Sequence, residues 1–282
     1  MANSFEAVNL VKRYEGFQLG PISLHLPEGC IMGLVGENGA GKTTLIKLLT
    51  GIVKKDGGQV RLLGRTVEAD APSVREDIGV VFDESSFPFS FRGRDVDTVL
   101  KRIYRQWDSA LYRQYLDRLQ LPMDKPVKDF SRGMKMKLQI AAALAHRPRL
   151  LLLDEPTGGL DPIVRDEILD VFLDFIADEG HSILLSSHIT ADLEKIADYI
   201  AFIHKGTLRL CEPKDELLEQ FGILKCTASQ FQQLDPSLAY GVRKNQFGVE
   251  VLVRRDTAPR GAVVDPVRID DMMLFLTKGA EQ

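Results

Sequence analysis

Short apolar runs alternate with stretches of helical periodicity through about the first 220 residues. Residues 30–35, 78–82, 150–153 and 182–186 read as core strands flanked by glycine or acidic residues. That alternation predicts an α/β protein with a mainly parallel sheet. Each of the four runs leads into a segment of chemical interest, as expected where ligands bind at the carboxyl ends of parallel strands.

Two stretches depart from the pattern. Over residues 84–128 the chain turns aromatic, Arg-rich and helical, bounded by Pro88 on one side and by Pro122 and Pro126 on the other. This predicts a helical insertion, which together with the next helical stretch covers about residues 84–145. Beyond Phe221, GVRKNQFGVEVLVRR reads as a hairpin in which residues 245–248 supply the turn and Val249, Val251 and Val253 alternate onto one face. Asp265 and Pro266 read as a helix N-cap followed by proline at the first helical position. Ile269, Met272, Met273 and Leu276 then form one apolar stripe. The stripe either packs on its own hairpin or faces a partner. The expected division is a core domain over residues 1–220 and a small α+β appendage over residues 221–282. Without heptads or internal repeats, coiled-coil and solenoid architectures are excluded.

Composition narrows the classes further. The 282 residues are 44% hydrophobic, too apolar for a disordered chain, and 36 Lys plus Arg against 40 Asp plus Glu leave a formal net charge of -4. So small a charge offers nucleic acid no bulk attraction. The longest stretches without a formal charge, residues 16–27 and 180–191, are a dozen residues each. A membrane-spanning helix needs ~20. MANSFEAVNL, at the start, has neither the basic opening nor the apolar core of a secretory signal. Cys30, Cys211 and Cys226 are odd in number and too far apart for a CxxC motif, which fits a reducing compartment. The expected location is the cytoplasm.

Gly36-Glu37-Asn38-Gly39-Ala40-Gly41-Lys42-Thr43-Thr44 matches GxxxxGK[ST] and sits between an apolar strand and a helical pattern. Background glycine usage makes an accidental match on the order of 1%, and the strand-loop-helix context lowers that further. In such a loop the backbone amides and the following helix end converge on phosphate oxygens. Lys42 is then expected to bridge β- and γ-phosphates, and the Thr43 hydroxyl to hold Mg²⁺. Four leucines end in Asp154 and Glu155. Two acids at the mouth of a buried strand can meet a cation and a water: Asp154 to position Mg²⁺, Glu155 as general base. His188 ends another apolar run. Alone it is either a structural histidine or a donor to the γ-phosphate.

Phe130-Ser131-Arg132-Gly133-Met134 lies between these two motifs, directly before a helical segment. Together the set resembles the ATP-binding cassette (ABC) ATPases, with the P-loop NTPase core of that family. The resemblance covers about residues 1–220. It implies that two subunits, identical or homologous, pair head to tail, with Ser131 and Gly133 of one clasping the γ-phosphate held by the other. It further implies that Tyr14 stacks on adenine, that Asp161 in the loop after Gly159 links the two sites, and that His188 is the switch histidine. VFDE, FSRGMK and the short tail look most like the YtrB-like branch of ABC-2 type transporter ATPases. The resemblance thus implies an ATP-hydrolysing subunit of an exporter-type transporter, peripheral on the inner face of the membrane and partnered by integral membrane permease subunits. The insertion, including Tyr104 and Trp107, either meets such a partner or packs on the core. A non-transport ABC ATPase acting on nucleic acid or the ribosome is the rival reading. It is disfavoured by one cassette, by the absence of a long coiled coil and by the small net charge.

Two departures from the family pattern stand out. Where a glutamine is usual after the second strand, this chain has Asp83 followed by Glu84; either acid could serve Mg²⁺ or the water. Arg132 occupies a position where the family commonly has glycine.

Overall fold

The computed structural model describes residues 2–67, 72–84, 86–246, 248–259 and 261–278. The first elements are β1 (Asn3–Tyr14), β2 (Phe17–Pro27), β3 (Ile31–Val35), α1 (Lys42–Leu49), β4 (Gly57–Leu62), β5 (Arg65–Thr66), α2 (Pro72–Arg75) and β6 (Ile78–Val81). Next come α3 (Gly93–Ile103), α4 (Ser109–Arg118), α5 (Arg132–Leu144), β7 (Leu150–Asp154), α6 (Pro162–Ile176), β8 (Ser182–Ser187), α7 (Thr190–Ile196), β9 (Tyr199–His204) and β10 (Thr207–Pro213). The tail holds α8 (Lys214–Gln220), β11 (Phe221–Cys226), α9 (Ala228–Gln232), β12 (Gly241–Asn245), β13 (Gly248–Arg254), β14 (Val264–Pro266) and α10 (Ile269–Lys278).

A six-stranded sheet in the order β10-β9-β3-β8-β7-β6 forms the centre. Its strands run parallel except β10. Every residue of β3, β7 and β8 is buried, which is why these strands read as unbroken apolar runs rather than alternating ones. Alternation survives in which face each side chain serves. Leu151 and Leu153 join Phe172 and the insertion on one face, while Leu150 and Leu152 join Leu45 and the β1-β2 layer on the other. That second layer is an antiparallel sheet, β2-β1-β4-β5. Each such leucine stabilises by ~1.5–3 kcal/mol. Register then sets the site: Val35 pairs with Ser187, Asp154 with Ser186 and Leu153 with Val81, so four carboxyl ends finish in one row.

The insertion contains α3 and α4 and passes into α5. Tyr112 is fully buried, and Phe87, Phe91, Trp107 and Tyr115 pack against the central cluster. Tyr104 stacks on His146 with ring centroids 4.1 Å apart, and the His146 Nε2–H donates to the Ile78 carbonyl at 3.1 Å, tying the insertion to β6. Trp107 Nε1–H donates to Asp97 at 2.8 Å, and its ring lies 5.2 Å from that of Tyr112. Of the two roles open to Tyr104 and Trp107, the structure shows the packing one. Among the described residues here, the large apolar side chains left exposed are Phe89, Val99 and Ile103, with Phe89 and Ile103 the more exposed.

In the tail, β12 and β13 form the hairpin read from the sequence, and Val249, Val251 and Val253 lie buried with Leu224. Asp265 and Pro266 do not begin a helix. They belong to β14, where Asp265 pairs with Ile223 and binds Lys225 Nζ at 2.6 Å. β14 is an edge strand, so the missing proline N–H is tolerated. The helix starts at Ile269. Its stripe reaches beyond the hairpin: Ile269, Met272, Phe275 and Leu276 share the central cluster with Leu193 and Ile196 of α7, and Met273 packs against it.

Phe172→Ala, at a fully buried position, is expected to cost about 3–5 kcal/mol in denaturant unfolding. Burial also holds the His146 imidazole below its ordinary value of 6.5. The unfolded chain therefore takes up this proton first, and the folded state loses stability as pH falls from about 7 through 6.5 toward the lower folded value. His146→Gln should flatten that part of the urea-stability profile, above which the histidine contributes no slope.

Candidate functional site

The loop between β3 and α1 closes only because two positions lack side chains. A Cβ on Gly36 would sit 2.3 Å from the Ile203 carbonyl, and Gly41 has φ +111°. The turn is pinned by Ala40 N–H to the Glu37 carbonyl at 3.1 Å and by Gly206 N–H to the Ala40 carbonyl at 3.0 Å. Lys42, the first residue of α1, is buried at 6% exposure. Its ammonium donates to the carbonyls of Gly36 at 2.7 Å and Glu37 at 3.3 Å, and lies 3.2 Å from Glu155 Oε1. A buried ammonium demands such partners.

One residue on, the Thr43 hydroxyl donates to Asp154 Oδ2 at 2.7 Å. The Ser186 hydroxyl donates to the other oxygen, Oδ1, also at 2.7 Å. Asp154 is thus fixed from both sides by α1 and β8. Glu155 leaves the strand in the left-handed region, φ +51°, a conformation costing ~1–3 kcal/mol for a non-glycine residue. It is held there by its N–H on the Ser186 carbonyl at 3.1 Å and on Ser186 Oγ at 3.0 Å. The turn aims its carboxylate at His188, whose Nδ1 lies 2.6 Å from Oε2 and whose backbone N–H bonds the same oxygen at 3.3 Å.

A cleft of about 510 Å³ runs over these groups, lined by Tyr14, Phe17, Glu37, Asn38, Gly39, Gly41, Lys42, Thr43, Thr44, Asp83, Asp154 and Glu155. Tyr14 and Phe17 form its aromatic end, with rings stacked 6.4 Å apart. Asp83, Asp154 and Glu155 line the same cleft. A polyanion fits the amide loop and Lys42, and a planar base fits the aromatic end.

Of the two sequence departures, each answers the other. Arg132 Nη2 binds Asp83 Oδ1 at 2.5 Å, and the same guanidinium lies against Gly159, where a Cβ would meet it at 3.0 Å. Both partners are about half exposed, so the pair is worth at most about 1 kcal/mol. It nonetheless joins the β6 exit, the start of α5 and the loop after Glu155. Asp83, not Glu84, lines the cleft.

Ser131 caps α5, its hydroxyl accepting from Met134 N–H at 3.2 Å, while Gly133 lets Val164 approach α5 closely. Asp161 caps α6 by accepting from Val164 N–H at 3.1 Å. Ser131, Gly133 and Asp161 are not among the residues lining the cleft. Neither are His188, Gly36 and Ala40, but His188 is bonded to the lining residue Glu155, and Gly36 and Ala40 belong to the loop that forms its floor. Phe17 and Ser186 were invisible as site residues in the sequence. Only the two-residue turn that pairs Phe17 with Tyr14 and the register of β8 beside Asp154 bring them in.

Residues 19–158 match the family described as ABC transporter. The ABC transporter ATP-binding protein YtrB of Bacillus subtilis (strain 168) is 32% identical over 217 residues, covering 77% of this chain and 74% of its own length. This chain belongs to the ABC transporter ATP-binding family. The daunorubicin/doxorubicin resistance ATP-binding protein DrrA of Streptomyces peucetius is 31% identical over 276 residues, 95% of this chain and 81% of its own, so that likeness reaches into the tail. A solved ATP-binding subunit of an ABC transporter matches with TM-score 0.69 and 25% identity over 76% of this chain and 91% of that one. As an ABC ATP-binding subunit, this protein is a P-loop ATPase that serves transport. The nucleic-acid rival draws no support from these relatives.

Ser186→Ala leaves Asp154 Oδ1 buried without its donor. The expected loss in urea unfolding is about 1–3 kcal/mol, with nucleotide affinity falling alongside as the carboxylate loosens.

Proposed function

We propose that this ATPase works as a head-to-tail pair, with ATP and Mg²⁺ buried between two chains, and drives the membrane permease subunits of an exporter. The observation that carries the reading is the split of its motifs. Lys42, Thr43, Asp154 and Glu155 line one cleft and His188 is bonded to Glu155, whereas Ser131 and Gly133 neither line that cleft nor bond to a described residue that does. A second copy brings its own Ser131, Gly133 and α5 N-terminus to the cleft, where helix amides favour a γ-phosphate. Two-fold pairing completes both sites at once.

Within the cleft, Tyr14 with Phe17 takes the adenine, and the amides from Gly36 through Thr44 take the phosphates. Lys42 turns from Glu155 toward the β- and γ-phosphates. Glu155, fixed by its strained turn, accepts a proton from the attacking water as general base. His188 holds that carboxylate and donates to the γ-phosphate. Asp161 carries the state of one site to the other. The hydroxyl of Thr43 and the carboxylate of Asp154 are an all-oxygen pair suited to Mg²⁺, which is commonly held by one or two carboxylates plus substrate phosphates, and Asp83 stands nearby as a further ligand or water contact. Mg²⁺ bound there supplies neutralisation of phosphate charge.

Among the described residues no helix is long and apolar enough to cross a membrane. Separate permease subunits then form the pathway, and the chain sits on the inner face of the membrane. Exposed Phe89 and Ile103 on the insertion offer them an apolar contact. Export follows the drug-resistance role named for DrrA. We assign residues 1–220 to the ATPase domain and residues 221–282 to an accessory domain.

Glu155→Gln is expected to reduce ATP turnover by at least about 10²-fold while size-exclusion chromatography with Mg²⁺ and ATP shows a stable dimer that Ser131→Ala weakens. Unchanged turnover in the glutamine variant would remove Glu155 from its role.

A further inference from the structure

Helix α7 begins two residues after His188 and has seven residues, with no side-chain cap at Ile189. So short a helix is not held by its own hydrogen bonds. What packs on it sets its position. From one side α6 grips it: Arg165 meets the buried Asp192 carboxylate at 2.5 Å, and Lys195 meets Asp166 at 2.5 Å. From the other side the tail grips it. The buried Thr190 hydroxyl donates to Asp270 Oδ1, and Glu194 Oε1 accepts the Ile269 N–H at 3.1 Å. Residues 190 and 194 lie one turn apart on the same helix face, so the start of α10 is bonded along the whole of that face. Met272 and Phe275 share a core with Leu193 and Ile196 beneath it.

The link from His188 to this contact is equally short. Ser187 Oγ accepts the Ile189 N–H at 2.9 Å, closing the turn that precedes Thr190. We propose that Asp270, through Thr190, is a positioning residue for His188, so that the C-terminal helix tunes hydrolysis in its own chain. The proposal rests on the reading of His188 as a participant in ATP hydrolysis. Releasing the first turn of α7 loosens the His188–Glu155 contact. Nucleotide binding is spared, because Lys42 and Thr43 draw their partners from Gly36, Glu37, Asp154 and Glu155 rather than from the tail.

The test uses the full-length chain with Asp270→Ala and Thr190→Val, singly and combined, and with Asp270→Asn, which keeps an acceptor oxygen. Steady-state ATPase assays give kcat and KM. The imidazole ¹⁵N resonance of His188, assigned by its loss in His188→Gln, reports the ring directly. Either single variant should move that resonance and lower kcat roughly tenfold, a fraction of the loss that a 1 Å misplacement can cause. KM for ATP should stay within about twofold, the double variant should be no worse than either single one, and Asp270→Asn should recover part of the rate. A resonance unmoved in both single variants, or kcat losses that multiply in the double, would overturn the proposal. A resonance that moves while kcat holds would keep the coupling and instead remove His188 from hydrolysis.

Discussion

A buried ammonium must be answered by oxygens, and the site is arranged around that demand at Lys42. Two loop carbonyls and the Glu155 carboxylate surround it. Because Glu155 is also bonded to His188 and is turned into a left-handed backbone, the charge of the phosphate loop and the geometry of the proposed base are one problem with one solution. Desolvated charges attract strongly but are costly to bury, which makes this cluster rigid and sensitive to any anion that competes for Lys42.

Rigidity alone does not position the cluster; the parallel sheet does. Four strand ends finish in one row by register, so α1, the Asp154-Glu155 pair and His188 are delivered from three different strands to within hydrogen-bond reach. Ser186 is the joint, since it bonds both Asp154 and the Glu155 backbone. A hydroxyl at that register does for two acids what a leucine, equally well packed in a buried strand, would leave undone.

The periphery obeys the same logic with weaker interactions. Arg132 and Asp83, each a departure from the family pattern, form a bridge between the insertion and the cleft. Their exposure keeps the energy small, but geometry rather than strength decides what a bridge can transmit. The tail is bound more firmly, through an apolar core continuous with that of the ATPase and through polar contacts on α7. It is built into the layer that holds α7.

By itself the sequence determined the strand-loop-helix of the phosphate loop, the acidic strand mouth, the helical insertion and the tail hairpin, because each is local: periodicity, glycine freedom and residue chemistry act within a few positions. It also misled locally: Asp265 and Pro266 carry a helix-start signal that pairing with β11 overrides. It left Tyr104 and Trp107 open between a partner contact and core packing, and the contacts with His146 and Asp97 show the packing. Tertiary structure alone decided that Ser186 faces Asp154, that Arg132 finds Asp83 and that α10 grips α7. These contacts join residues 32, 49 and 80 positions apart, and the chain's local pattern holds no record of such distances because they are fixed by packing and register, not by propensity.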